Sequence, residues 1–130
     1  MKAQARHYEM LDVQTSIDSA SSHQLIDMLF QGMRTRLLQA VGSIERGDLE
    51  TKAAAISACV DILGGLQASL DHEQGGEIAA NLDGLYDYMQ RRLFRASVDN
   101  DIEALKEVND LVDTLRSAWV AIDPEVKADG

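Results

Sequence analysis

Three histidines are the side chains of this sequence with the widest range of possible chemistry, because an imidazole can bind a metal ion or transfer a proton. They are His7, His23 and His72. Metal sites inside helical bundles use Glu-x-x-His pairs, and no histidine here has a glutamate three residues before it. A phosphotransfer bundle needs an exposed histidine in mid-helix, whereas the surrounding patterns place all three at helix ends, in turns or near the N-terminus. The histidines therefore predict neither a metal site nor catalysis.

Cys59 and the pair Gly75-Gly76 are the other residues that could carry chemistry. A phosphate-binding glycine loop requires a preceding strand and a lysine, and the sequence around Gly75 provides neither. Cys59 is the single cysteine, so no internal disulfide can form, and its neighbours Ala58 and Val60 indicate the interior of a helix. In the absence of convergent polar groups, we expect no enzymatic activity, no cofactor and no metal.

Composition indicates one acidic globular domain. Hydrophobic residues make up 45% and charged residues 26% of the 130 residues, and the single proline leaves long segments free to form helices. The net charge of -10 would repel phosphate backbones and anionic lipids, which argues against nucleic acid and membrane as partners, although the same charge also serves solubility alone. The N-terminal residues MKAQARHYEM lack the apolar core of a signal peptide, so we expect a cytoplasmic protein.

Helix start and stop signals divide the chain. Ser21 and Gln24 have the spacing of a capping box, which predicts a first helix that begins at Ser22 and ends at Gly47. Asp48 is placed to cap the second helix. Apolar residues recur at intervals of three and four along two further segments, which predicts two more helices.

Four helices joined by short turns predict an all-α, antiparallel up-down four-helix bundle over residues 21–123. The third helix should occupy about residues 77–97, and the fourth should begin near residue 102 and end at the Asp-Pro pair 123–124. Residues 1–20 are interpreted as an N-terminal arm that packs on the bundle, the alternative being a frayed terminus, and residues 124–130 as a polar tail.

Two glycine pairs interrupt the helical patterns. Gly64 and Gly65 each cost roughly 1 kcal/mol relative to alanine in a helix interior, so they predict a bend or a close helix contact that a side chain would block. That contact could be made within the bundle or with a foreign helix. Gly75 and Gly76 suit a connection with positive φ before the third helix. The apolar stripe of that helix is predicted to comprise Ile78, Leu82, Leu85, Met89 and Leu93.

The first two helices carry more apolar surface than one neighbouring helix can cover. Either two neighbours cover this surface, or a ligand does. A bound amphipathic helix would place its apolar side chains in a groove of this kind, and the arm could cover the groove when it is empty. The candidate groove residues are Leu25, Leu29, Leu38, Leu63, Leu66 and Leu70.

Four sequence blocks, in this order, resemble the FliS family of flagellin-specific export chaperones. They are HQLIDMLFQG at residues 23–32, GDLETKA at 47–53, LDHEQGGEIAANLDGLYDYMQRRL at 70–93 and EVNDLVDTLRSAW at 107–119. The resemblance covers about residues 8–122. It implies a cytoplasmic chaperone that binds the C-terminal segment of flagellin, prevents premature polymerisation and delivers flagellin to the type III export gate. The alternative is a helical adaptor or regulatory module that binds another amphipathic helix.

The resemblance also implies a second partner, the export gate protein FlhA. In this family a tyrosine fifteen positions before the histidine of the HQL motif is implicated in gate docking, and that spacing selects Tyr8. An apolar docking residue three positions earlier corresponds to Ala5, which is smaller. Relatives often have proline before HQL, whereas this chain has Ser22. Self-association of the free protein through an uncovered groove remains an open alternative.

Overall fold

The computed structural model describes residues 21–122, which form four α-helices and no strand. The helices are α1 Ser22–Arg46, α2 Leu49–Ala68, α3 His72–Asp99 and α4 Ile102–Ala121. Each helix packs on the one before and the one after it, and α1 also packs on α4, which closes the ring of a four-helix bundle. The predicted all-α fold is confirmed. The predicted arm at residues 1–20 and tail at residues 124–130 lie outside the described residues.

The predicted caps of α1 and α2 are confirmed. The backbone N–H of Gln24 donates to Ser21 Oγ over 3.1 Å, and the Ser21 N–H donates to Gln24 Oε1 over 2.9 Å. Gly47 ends α1 with φ 72°, a conformation that glycine adopts without steric cost. Asp48 accepts from the Thr51 N–H over 3.1 Å. These local hydrogen bonds fix the ends of helices α1 and α2.

Helix α3 begins earlier than predicted, at His72 rather than near residue 77. The Asp71 carboxylate accepts from the N–H groups of Glu73 and Gln74 at 3.1 and 3.0 Å, and this cap stabilises one additional turn before the glycine pair. Gly76 then departs from helical geometry with φ 50° and ψ -122°. The predicted positive φ is therefore confirmed, but it lies inside the helix as a break rather than before it.

The interruption predicted at Gly64 and Gly65 is wrong, because α2 continues through both residues. A Cβ atom built on either glycine would meet no other atom within 4 Å, so neither glycine permits a close helix contact within the bundle. The alternative contact with a foreign helix stays a prediction. Leu63 and Leu66, on either side of the pair, are buried in the core. Burial of these flanking leucines outweighs the low helix propensity of the glycines.

The core follows the predicted stripes through the middle of the bundle. On α1 the buried stripe runs through Phe30, Met33, Leu37 and Ala40. The third stripe is correct at Met89 and Leu93 and wrong at its first member, because Ile78 is 71% exposed while its neighbour Ala79 is buried. The largest fully buried apolar side chains are Met33, Leu37, Leu63, Met89, Leu93, Leu105, Val108 and Val112.

Cys59 and Lys52 place polar atoms within or beside this core. Cys59 Sγ donates to the Met33 carbonyl oxygen over 3.7 Å, and burial raises the pKa of the thiol to about 12. Lys52, 8% exposed, donates from Nζ to the Ser97 carbonyl oxygen over 3.0 Å and to Asn100 Oδ1 over 2.7 Å. The ammonium group thus satisfies acceptors at the C-terminal end of α3, where the helix dipole favours a cation.

None of the helices among residues 21–122 is both long enough and apolar enough to span a membrane.

Candidate partner-binding groove

An apolar groove lies at the end of the bundle where α1 and α3 begin and where α2 and α4 end. It encloses about 770 Å³, and all four helices contribute to its walls. The lining residues are Ser22, Leu25, Ile26, Leu29, Phe30, Leu66, Ser69, Leu70, Ile78, Leu82, Tyr86, Leu115, Ala118, Trp119 and Ile122. Within the described part of the chain, no charged side chain lines this groove.

The groove leaves large apolar side chains accessible in a protein of high net charge. Leu29 is 37%, Ile122 49% and Ile78 71% exposed. Burying apolar surface contributes roughly 25 cal/mol per Å², so a partner that covers these residues gains affinity in proportion to the area that it buries. Contiguous exposed apolar surface of this kind marks a site for another chain or an apolar ligand. The groove has the chemistry of a binding site rather than of an active site.

Four of the six predicted groove residues come together here: Leu25 and Leu29 from α1, Leu66 from the last turn of α2, and Leu70 from the connection that follows α2. Leu63 does not belong to the groove, because it is fully buried in the core and presents no surface to a partner. Leu38 is 63% exposed but lies outside the lining. It follows Leu29 by nine residues, which is two and a half helical turns, so it points to the opposite side of α1.

The residues proposed for gate docking, Tyr8 and Ala5, lie outside the described residues. Leu82 and Trp119, which belong to the sequence blocks that resemble the FliS family, are half buried and line the groove. Ile78 lines it as well, on the turn that follows the break at Gly76. The spacing of apolar residues alone could not reveal the break at Gly76, and it could not show which positions of the stripe are only half buried.

His23 and Trp119 form a contact that sequence reasoning missed. The His23 Nε2 atom lies 2.8 Å from the carbonyl oxygen of Trp119, and the Trp119 indole N–H donates to the carbonyl oxygen of His23 over 2.8 Å. The two rings are stacked, with centroids 4.5 Å apart and planes inclined by 9°. We call this arrangement the His23–Trp119 clasp. It fixes the first turn of α1 to the last turn of α4 at the mouth of the groove.

Tyr86 was also missed, although its position four residues after Leu82 places it on the same face of α3. Its side chain is 5% exposed and packs in the core, and it lines the groove. Burial raises the pKa of its phenol. The hydroxyl has no hydrogen-bond partner within residues 21–122, in contrast to the hydroxyl of Tyr88 two residues later.

A second, polar depression of about 470 Å³ lies between α3 and α4 and contains an ion pair. The Tyr88 hydroxyl donates to both carboxylate oxygens of Glu107, at 2.7 and 3.0 Å, and Arg92 Nε donates to Glu107 Oε1 over 2.8 Å. The hydrogen bond from Tyr88, followed by that from Arg92, lowers the pKa of Glu107. All three groups satisfy one another, so the cluster stabilises the α3–α4 contact without presenting an unpaired catalytic group.

No set of three histidine, cysteine, aspartate or glutamate side chains in the described part of the molecule is arranged to hold a metal ion.

The chain is similar to known proteins along nearly its whole length. A family model described as flagellar protein FliS matches residues 4–126. The flagellar secretion chaperone FliS of Salmonella typhimurium is 45% identical over 119 residues, which is 91% of this chain and 88% of the relative. The flagellar secretion chaperone FliSB of Pseudomonas aeruginosa is 41% identical over 94% of this chain and 96% of the relative. The FliS of Vibrio cholerae is 33% identical over 96% and 92%.

Proposed function

This chain belongs to the FliS family of flagellar proteins, and on that premise we propose that it binds the C-terminal segment of flagellin in the apolar groove. The relatives are named as flagellar secretion chaperones, which implies a flagellar export substrate as the partner. The groove carries this proposal, because it is the large apolar surface that all four helices leave open.

Binding would consist of inserting apolar side chains of the segment between the helix ends. An amphipathic helix presents apolar residues at intervals of three and four, and Leu29, Ile78 and Ile122 would be covered by them. A segment that is disordered when free spends part of its interaction energy on becoming ordered. That cost favours a complex that can release its cargo, which a secretion chaperone must do.

Covering the flagellin segment would prevent its premature polymerisation in the cytoplasm, where we place the protein. Delivery would require a second contact, and we assign it to Tyr8, with a small contribution from Ala5, docking to FlhA at the export gate. Ser22 lines the groove, so the described part of the chain begins at the edge of the groove. This position supports an arm that covers the apolar lining in the free protein and is displaced by flagellin. If no arm covered the groove, its exposed apolar surface would instead favour self-association of the free protein.

Calorimetric titration with the C-terminal segment of flagellin from the same organism tests the proposal, with a scrambled segment as control. We expect one-to-one binding and a large negative heat-capacity change, because the groove buries apolar surface. The scrambled segment should not bind. Failure of the correct segment to bind a folded sample would contradict the proposal and favour an adaptor that binds a different helix.

A further inference from the structure

Two adjacent glycines divide the start of α3. Residues 72–75 form a first helical turn, and Gly76 then leaves helical geometry with φ 50° and ψ -122°, a conformation that residues with a side chain rarely adopt. A Cβ atom at Gly75 would lie 2.8 Å from the Cβ atom of Ala79, so a side chain there would force the two turns apart. Since glycine weakens a helix, the pair indicates that the break itself is required.

The break separates two walls of the apolar groove. Leu70 ends the wall before the glycines, and Ile78 and Leu82 belong to the wall after them. The backbone N–H of Leu70 donates to the carbonyl oxygen of Gln67 over 3.2 Å, which ties the first wall to α2. A continuous helix would transmit any movement of Ile78 to this connection, whereas a change in the backbone angles of Gly76 absorbs it.

The wall after the break is weakly held. Further along, α3 is tied to α2 by Gln67, whose side chain donates to Asp83 Oδ1 over 3.0 Å and accepts from Gln90 over 2.6 Å. Residues 77–82, which we call the α3 lip, make no side-chain hydrogen bond or ion pair with another helix in the part of the chain that the structure describes. Of the six lip residues only Ala79 is buried. A segment with so few buried contacts moves at low cost in free energy.

We infer that the α3 lip is a movable wall of the groove, which pivots at Gly76 and closes on the segment that the groove binds. This inference rests on the proposed function, because it takes the flagellin segment as the occupant. Ile78 is 71% exposed, so a shift of the lip towards the segment buries apolar surface that the bundle alone leaves open. The bound segment thus favours the closed position, and its release returns the lip to the open one.

A movable wall lets one groove accept side chains of different size. In a rigid groove a larger side chain clashes and a smaller one leaves a cavity, and both reduce the free energy gained on binding. Pivoting at Gly76 moves Ile78 and Leu82 together, because both lie on the same helical segment, and it leaves Leu70 in place. The lip therefore determines how closely the lining follows the bound segment.

Methyl relaxation-dispersion NMR of the isoleucine side chains tests the movement in the natural chain. We expect the Ile78 methyl group to exchange between two positions on the microsecond-to-millisecond timescale in the free protein, and this exchange to disappear in the complex with the flagellin C-terminal segment. Ile56, which is 4% exposed in the core, is the internal control and should show no exchange in either state. An Ile78 signal without exchange in the free protein, or with the same exchange in the complex, would overturn the inference.

Gly76→Ala tests the hinge, because alanine disfavours a positive φ. We expect this variant to suppress the exchange of Ile78 and to weaken binding of the segment about fivefold or more. Gly84→Ala is the matched control, since Gly84 lies in the same helix and a Cβ atom there meets no other atom within 4 Å. Wild-type exchange and affinity in both variants would exclude Gly76 as the hinge and overturn the inference. Absence of binding by the wild type would instead contradict the proposed function, because the exchange of Ile78 in the free protein is measured separately.

Discussion

The imidazole of His23 and the indole of Trp119 stack at 4.5 Å and exchange two hydrogen bonds with each other's backbone, across 96 residues of sequence. Each residue thereby satisfies a carbonyl group of the other helix, one in the first turn of α1 and one in the last turn of α4. The clasp holds together the two helix ends that border the groove, and the face of Trp119 that remains accessible forms part of the groove wall.

His23→Ala should lower the free energy of unfolding by about 1 to 2 kcal/mol, because it removes both the stacking and the hydrogen bond to Trp119. It should also weaken binding of the flagellin segment, because the α1–α4 border of the groove becomes mobile. Urea denaturation followed by circular dichroism measures the first effect. Trp119 is the single tryptophan, so its fluorescence reports the loss of the clasp directly.

His72→Ala, at an exposed position at the start of α3, is the control. Equal behaviour of the two variants would contradict a role for the clasp.

Leu29→Asp should abolish or weaken flagellin binding by about tenfold or more, because it places a charge in a groove that offers no counter-ion. Leu38→Asp introduces the same change on the same helix, at a side chain that is exposed outside the groove. We expect that variant to bind like the wild type in the calorimetric titration. If both variants lose binding to the same extent, the groove is not the site.

Lys52→Met should destabilise the bundle by about 1 to 3 kcal/mol, because it leaves the Ser97 carbonyl and the Asn100 side chain without their buried donor. Methionine keeps the length of the apolar stem, so the loss reports the ammonium group. Lys106→Met is the comparison, since Lys106 is exposed and lies 3.9 Å from Glu103. Chemical denaturation that ranks the two variants in the opposite order would contradict this assignment.

Tyr88→Phe should remove a pH-dependent contribution to stability. The hydrogen bond from Tyr88 is the largest cause that lowers the pKa of Glu107 below its ordinary value of 4.5. A carboxylate with a lowered folded-state pKa stabilises the protein above its unfolded pKa, and this contribution disappears as pH falls through the folded pKa. The melting temperatures of the variant and the wild type should therefore differ near neutral pH and converge in acid. A difference that stays constant as the pH falls far below the ordinary value of 4.5 would contradict the ionic origin of the effect.

Tyr8→Ala should weaken docking to FlhA and leave flagellin binding largely intact, because we place the two contacts in separate parts of the chain. Two binding assays on the same sample, one with the purified cytoplasmic part of FlhA and one with the flagellin segment, measure both. Loss of both interactions to the same degree would show that Tyr8 supports the groove instead.

Local signals predicted most of the fold, because they depend on neighbouring residues. Ser21 with Gln24, Gly47 and Asp48 each act through hydrogen bonds or backbone angles within a few positions, and each was placed correctly. Gly64 did not interrupt α2 as its low helix propensity predicted, because burial of Leu63 and Leu66 stabilises the helix at this point. Asp71 extended α3 through a cap that the apolar stripe did not reveal.

The groove was only partly predictable, because its walls come from the ends of all four helices. Surplus apolar surface on α1 and α2 led to Leu25 and Leu70, which line the groove, but it could not separate Leu63, which the other helices cover completely. Periodicity on one helix does not say how far a neighbouring helix extends. The pairing of His23 with Trp119 depends entirely on that three-dimensional arrangement.

Cys59 makes the natural chain a convenient background for site-specific labelling. Thiolates attack maleimide and spin-label reagents, and a buried thiol with a pKa of about 12 supplies almost no thiolate at neutral pH. A cysteine introduced at Gly64, where an added side chain meets no neighbour, would therefore take the label alone without removal of the native residue. Probes placed in this way on the bundle and on the flagellin segment would measure the distances that define the complex.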